Sequence, residues 1–409
     1  MQNFNSIPPE IRKNLLILFA AGLLFWSSLA SLLPTLPLYI ESIGATKQQI
    51  GIVMGSFAVG MLIFRPQLGV LADRKGRKAV LIIGMMASAI APLGYMLATS
   101  LPLMMVIRAF HGVSIAAFGT GFMALVADLA PEQRRGEIIG YMSLVNPIGV
   151  AIGPALGGYL QASVGNTALF TASSLLGALG FLCLLPVVNP PIVEQPPKNA
   201  KDGFLRTLIS PRVFIPALVL LIVGLTLGAV HTFIALYIKS TGLNLNAGLF
   251  FTAAAISSFS IRLFAGKASD RYGRGLFVTF SLFAYTASLL MIWQANNELM
   301  FLIGAIIEGA GSGTAIPMIS TMMTDRALPH ERGRIFGVAL TGFDVGLVIA
   351  GPVFGAIAQA IGYQRMFGLT TGLTFLAILI FTTLSSNSIS RSFRFAFGLG
   401  EDAYALKRQ

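Results

Sequence analysis

Long apolar runs separated by short polar turns fill this 409-residue chain. About 20 apolar residues at 1.5 Å rise cross the ~30 Å hydrocarbon core of a bilayer, so each run predicts a spanning helix. Twelve are predicted, over 14–40, 48–70, 79–98, 101–127, 137–161, 166–187, 213–239, 247–268, 275–294, 299–323, 334–360 and 366–384. The first follows Arg12 and Lys13, as a signal peptide would, but it runs from Leu15 to about Ile40 with no small-x-small cleavage site after it. It is therefore read as a span. The longest interior break, 188–212, holds Pro190, Pro191, Pro196 and Pro197 with Lys198, Lys201, Arg206 and Arg212, and reads as a polar linker. The expected organisation is a six-helix bundle over 1–187, the linker, a second bundle over 213–384 and a tail over 385–409.

Composition agrees with this pattern. Hydrophobic residues make up 55% and charged residues only 11%, with a mean hydropathy of +0.79. A soluble domain carries roughly 25% charged residues, so this chain cannot cover a water-facing surface. The net charge of +12 would suggest nucleic acid in a soluble protein. Here its placement excludes that reading. If the chain starts inside and each span changes side, the inside turns hold Arg12, Lys13, Arg74, Lys75, Arg77, Lys78, Arg134, Arg135, the linker residues, Lys267, Arg271, Arg274, Arg326, Arg332, Arg334, Arg391, Arg394, Lys407 and Arg408. The outside turns hold only Lys47, Lys239 and Arg365. This asymmetry orients membrane proteins with basic loops inside, so both termini are expected in the cytoplasm and the charge is expected to meet anionic lipid. Cys183 is the single cysteine, and with three scattered histidines it makes no metal-site spacing. No metal or cofactor is expected.

The chain repeats itself. Arg65, Gly69, Asp73, Arg74, Gly76 and Arg77 recur 197 positions later at Arg262, Gly266, Asp270, Arg271, Gly273 and Arg274. The same offset carries Gly112 onto Gly309, Asp128 onto Asp325 and Gly136 onto Gly333. One residue more carries Gly153-Pro154 and Gly157 onto Gly351-Pro352 and Gly355. Internal repeats among membrane helices point to a transporter with its site at the repeat interface near the midplane.

The segment Gly69-Val-Leu-Ala-Asp73-Arg74-Lys-Gly76-Arg77-Lys78 resembles the signature loop of the major facilitator superfamily, with a degenerate copy at Gly266–Gly275. On physical grounds Gly69 would permit a close helix approach, and Asp73 would accept from free amides at a facing helix N-terminus. In the fifth span, Gly149-Val-Ala-Ile-Gly153-Pro154-Ala-Leu-Gly157-Gly158 resembles the motif of the drug–proton antiporter branch. Its glycines, four apart, form one smooth stripe, and Pro154 favours a bend. Such a helix would suit a rocking contact between halves. Pro34-Thr-Leu-Pro37 resembles a further motif of the twelve-helix branch. Met104-x3-Arg108-x2-His111-Gly112 resembles the fourth-helix motif whose Arg is associated with proton transfer, with His111 where Gln is usual and Ser114 where Gly is usual. The resemblance implies an all-α polytopic membrane protein, twelve transmembrane helices in two pseudo-symmetric bundles.

Ionisable groups inside spans are costly and default to a functional reading. Those predicted are Arg65, Arg108, His111, His231, Arg262, Glu308 and Asp344. Arg65 and Arg262 lie one turn from their loops, where snorkelling explains them. Arg108 and His111 share a helical face. Glu308 is the repeat counterpart of His111, and Asp344, with the one-residue insertion, of Asn146. The two carboxylates, then Arg108 and His111, are the candidates for proton coupling; a static buried ion pair is the structural alternative. Candidates for lining a substrate cavity are Trp26, Asn146, His231, Phe233 and Phe343, with Phe25 beside them. The expected function is proton-coupled export of small amphipathic molecules by a monomeric carrier in a bacterial-type plasma (inner) membrane. Uptake symport of a metabolite is the alternative, since Arg108 could equally hold a substrate carboxylate. An enzyme is not expected: no HExxH, GxSxG or Ser/His/Asp grouping with credible placement is present. A transporter-like sensor would need a larger soluble domain than the loops and tail provide.

Overall fold

A computed structural model describes residues 8–188, 204–328 and 331–406. Most of the expected linker, including Lys198 and Lys201, lies outside the described residues, as do Lys407 and Arg408. The described chain is helical: α1 Pro9–Ser31, α2 Leu36–Ser42, α3 Lys47–Lys75, α4 Arg77–Leu97, α5 Leu101–Leu129, α6 Arg135–Met142, α7 Val145–Ser163, α8 Asn166–Leu184, α9 Phe204–Leu208, α10 Pro211–Ser240, α11 Ala247–Tyr272, α12 Arg274–Trp293, α13 Glu298–Asp325, α14 Arg332–Leu384 and α15 Ile389–Ala396. Eleven stretches, two of them built from paired helices, are long and apolar enough to cross a membrane. The last is interrupted at Gly362, whose φ of 84° takes it out of helical geometry. The two pieces on either side each exceed the length of a span, so twelve spans result.

Prolines explain the breaks. The first expected span divides at Leu32–Thr35, because Pro34 has no N–H to continue the ladder. Thr35 Oγ1 donates to the Ser31 carbonyl at 2.9 Å, and Leu36 N donates to the Leu32 carbonyl at 3.1 Å to resume the helix. The fifth expected span divides at Ser143–Leu144, one turn before Pro147, for the same reason.

The chain forms two compact units, Met1–Ala45 with Ile52–Lys198 and Asn246–Gly248, and Thr46–Gly51 with Asn199–Leu245 and Leu249–Gln409. In the first unit α1 packs on α7 and α8, and α4 on α5 and α8. In the second, α10 packs on α14, and α12 on α13 and α14. The packing scheme is the repeat expressed in three dimensions. The turns repeat as well: Gly76 (φ 89°) and Gly273 (φ 96°) cap the N-termini of α4 and α12 in backbone conformations that side-chain-bearing residues rarely adopt.

Residues 385–406 of the expected tail are part of the second unit. Thr279 Oγ1 donates to the Ala396 carbonyl at 2.8 Å, and the Leu406 N–H donates to the Asp325 carbonyl at 2.9 Å. Arg326, fully buried, donates through Nε to Asp402 Oδ2 at 2.7 Å, through Nη1 to the Arg212 carbonyl at 2.9 Å and through Nη2 to the Ser385 carbonyl at 3.3 Å. Its guanidinium also lies 5.1 Å from the Tyr404 ring. A buried charge persists only when paired and hydrogen-bonded, and this segment supplies the carboxylate.

Candidate functional site

The signature loop forms an ion network in each unit. Arg77, the first residue of α4, folds back so that Nη1 donates to Asp73 Oδ1 at 2.7 Å, while Nε lies 3.9 Å from Asp128 Oδ2 at the end of α5. The triangle recurs at the repeat positions. Arg274 pairs with Asp270, its Nε lies 3.4 Å from Asp325 Oδ2, and its Nη1 donates to Ser269 Oγ at 2.5 Å. The sequence matched Asp128 with Asp325 but not either with its arginine. Asp73 thus takes a guanidinium where free helix amides were expected, because Arg77 occupies that helix start. At Gly69 and Gly266, leaving aside the local helix backbone, no described atom lies within 4 Å of where either side chain would begin. Arg74 and Arg271 are exposed, and Arg271 lies 5.4 Å from the Tyr272 ring. Asp73 is 67% exposed, and pairs that open to water contribute about 0–1 kcal/mol. These networks hold turns in place more than they stabilise the fold.

The glycine stripe on α7 faces α1 of its own unit. A Cβ on Gly149 would meet Trp26, on Gly153 the Ser27 carbonyl at 2.6 Å and Ala30 Cβ at 2.9 Å, and on Gly157 the Ser31 carbonyl. These three positions of the stripe are filled by α1 of the same unit. Pro154 lies inside the helix, and Gly158 is buried. In the second unit Gly342 and Gly346 press on α10 in the same manner, against the carbonyls of Ala217 and Leu221. Gly153→Leu is expected to lower stability by ~1–3 kcal/mol or more, because neither backbone can yield. Thermal unfolding of the purified protein checks this; an unchanged melting temperature would mean that α1 and α7 separate freely.

The membrane-buried polar groups fall in two clusters. In the first unit α5 carries Arg108 (6% exposed) and His111 (0%), and α4 brings Tyr95 to them. The Tyr95 hydroxyl lies 3.0 Å from His111 Nδ1. The Arg108 guanidinium sits 4.4 Å over the Phe57 ring. Arg108 Nε and His111 Nε2 find no hydrogen-bond partner among the described residues. Sequence reasoning missed Tyr95, which carries no charge; its signal is a phenol in an apolar run, which needs a partner when buried. In the second unit α13 buries Glu308 (5% exposed), with Oε1 unpartnered among the described residues. His111 and Glu308 each precede a crossing glycine: Gly112 abuts the Phe57 carbonyl and Gly309 the Ala254 carbonyl, positions again 197 apart. Asp344 on α14 is also buried, at 5% exposure.

The cavity candidates divide. Trp26 is half-buried, its Nε1 lacks a partner among the described residues, and its ring meets Phe118 edge-on at 5.8 Å. Asn146 and His231 are half-buried, with His231 5.8 Å from the Phe251 ring. Phe343 is partly buried and packs on the core of the second unit. Phe233 and Phe25 are corrected to core residues: both are fully buried, Phe25 stacked on Phe118 at 4.2 Å and Phe233 6.1 Å from the Tyr363 ring.

Comparison with known proteins agrees with this geometry. The sequence profile of the Major Facilitator Superfamily matches residues 18–276 and 244–394. The chain is 25% identical over 375 residues to the quinolone resistance protein NorA of Staphylococcus aureus (strain MSSA476), covering 87% of this chain and 94% of that protein. It is 27% identical over 380 residues to the staphylopine export protein of Staphylococcus aureus (strain Mu50), covering 90% and 94%. Among solved structures, the nucleoside transporter NupG superposes with a TM-score of 0.76 at 17% identity over 90% of this chain and 99% of that one. A bacterial homologue of the lysosomal transporter Spinster, inward-facing and unoccupied, superposes with a TM-score of 0.71 at 15% identity over 95% and 96%. With two repeated helical units, paired signature networks and this profile match over most of its length, the chain is a transmembrane transporter that belongs to the Major Facilitator Superfamily.

Proposed function

We propose that this transporter exports small amphipathic molecules in exchange for protons, by alternating access. The observation that carries the coupling is Glu308, a carboxylate buried near the middle of α13 with an oxygen that lacks a partner among the described residues. A carboxylate held there is expensive when charged, so it exchanges a proton as its access to water changes. Asp344 is the second candidate carrier. The export direction is supported by the fifth-span motif and by the two relatives, one named for quinolone resistance and one for export. The carrier is taken to act as a monomer in a bacterial-type plasma membrane, with both termini in the cytoplasm, as the placement of Lys and Arg implies.

Everted vesicles carrying the protein test this reading, with a quinolone as the first probe and ethidium as a second. An interior-acid pH gradient is expected to drive accumulation of at least one probe, and collapsing the gradient should abolish it. Accumulation driven only by the opposite gradient would instead establish symport. In intact cells, Ala200→Cys and Glu401→Cys are expected to resist an impermeant thiol reagent; ready labelling of either would reverse the orientation.

A further inference from the structure

A buried cation of the first unit has no counter-charge there. Arg108 lies two turns into α5, 6% exposed, and its Nε finds no hydrogen-bond partner among the described residues. The described acidic residues of this unit are Glu10, Glu41, Asp73, Asp128, Glu132 and Glu137. Each stands in a turn or within the first or last turn of a helix. Among the described residues no carboxylate pairs with Arg108. Its guanidinium lies instead over the Phe57 ring at 4.4 Å. A desolvated cation gains about 2 kcal/mol from an aromatic face, which falls short of what burying the charge costs.

One turn on, the same face of α5 holds a second open group. His111 is fully buried, its Nδ1 is engaged by the Tyr95 hydroxyl at 3.0 Å, and its Nε2 has no partner among the described residues. With the phenol donating to Nδ1, the ring proton of a neutral imidazole lies on Nε2, which is then a donor. Arg108 Nε and His111 Nε2 are thus two unspent donors three residues apart. Packing does not require either. At the repeat positions α13 carries Ala305, fully buried, and Glu308, while the crossing glycine beside them is Gly112 in one unit and Gly309 in the other. The second unit builds this level of its bundle without a guanidinium. The repeats have divided, with the acid in the second and the cation in the first.

We infer that Arg108 and His111 receive a carboxylate of the exported molecule, so that the substrates are amphipathic carboxylic acids in anionic or zwitterionic form. The guanidinium fork matches two carboxylate oxygens with charge-assisted hydrogen bonds, and Nε2 adds a further donor. A neutral ester of the same molecule cannot repay the desolvated charge. The inference rests on the export reading above, because alternating access is what brings a ligand to groups that this conformation keeps buried.

Equilibrium binding of ciprofloxacin and of its methyl ester to the purified full chain, measured by calorimetry in a gluconate buffer, tests the site. The acid is expected to bind at least roughly tenfold more tightly than the ester. Arg108→Gln should weaken the acid by about that factor and leave the ester within about twofold. Arg108→Lys keeps the charge without the fork and should retain a smaller preference, which covers a Gln variant that fails to fold. Replacing gluconate by chloride should change none of this. The inference is overturned if the parent binds the acid no tighter than the ester, or if either arginine variant keeps the full preference. It is equally overturned if Arg108→Gln weakens both probes alike, which would mark a packing role, or if chloride abolishes the preference, which would mark a site for small anions. No gradient is applied, so the outcome is independent of coupling and direction. Failure here leaves proton exchange standing, and failure of gradient-driven transport leaves the carboxylate preference standing.

Discussion

Glu308→Gln is expected to abolish accumulation of substrate against its gradient while leaving gradient-free exchange partly intact. A coupled cycle needs a group that is neutral in one access state and charged in the other. Arg cannot supply it, because guanidinium stays protonated in proteins. His111 has its Nδ1 engaged with the Tyr95 hydroxyl and its ring packed against Phe57, which holds the imidazole in one position. The carboxylates are then the available carriers. On sequence Asp344 stands slightly ahead, because its helix carries the Gly351-Pro352 bend. We place Glu308 first, since one oxygen is buried without a partner among the described residues, and a proton there would relieve both desolvation and the missing bond. Gln keeps the shape but can never ionise. Transport driven by a pH gradient and counterflow without one should be measured on the same vesicles, for Glu308→Gln, Asp344→Asn and the double variant. Normal gradient-driven accumulation by all three would remove both carboxylates from the coupling scheme.

Asp402→Ala is expected to destabilise the second unit by about 3–5 kcal/mol, the loss seen when one partner of a buried ion pair is removed. Arg326 is fully buried and Asp402 is 10% exposed, so water cannot replace the carboxylate. The change also frees the segment that ties Leu406 to Asp325, a member of the second ion network. Arg326→Met with Asp402→Leu removes both charges and should recover part of the loss, though not all. The carbonyls of Arg212 and Ser385 would then lack a donor. Thermal unfolding of purified variants reads this directly. A loss in Asp402→Ala below about 0.5 kcal/mol, as for an ordinary surface change, would mean that the tail does not hold the unit together. The repeat counterpart of Arg326 is Leu129, which cannot form such a pair.

Span number, the repeat and the family were legible in the chain itself, because each rests on information that is local or periodic. A bilayer demands about 20 apolar residues per crossing whatever the neighbours are. The glycine at Gly76 and Gly273 is required by the backbone of a single turn. The buried set Arg108, His111, Glu308 and Asp344 was legible for a related reason: a charge inside an apolar run is conspicuous without knowing what faces it. What each residue faces was decided by tertiary structure. The spacing of Gly149, Gly153 and Gly157 shows a smooth stripe, but only packing assigns it to α1. Phe25 and Phe233 look like cavity aromatics until their burial makes them core, since an apolar side chain suits both settings equally. Tyr95 joined the Arg108 cluster from another helix, and Asp402 reached Arg326 across 76 positions of chain. Pairings of that kind leave no periodic trace, because they depend on where helices cross and not on the order of residues along any one of them.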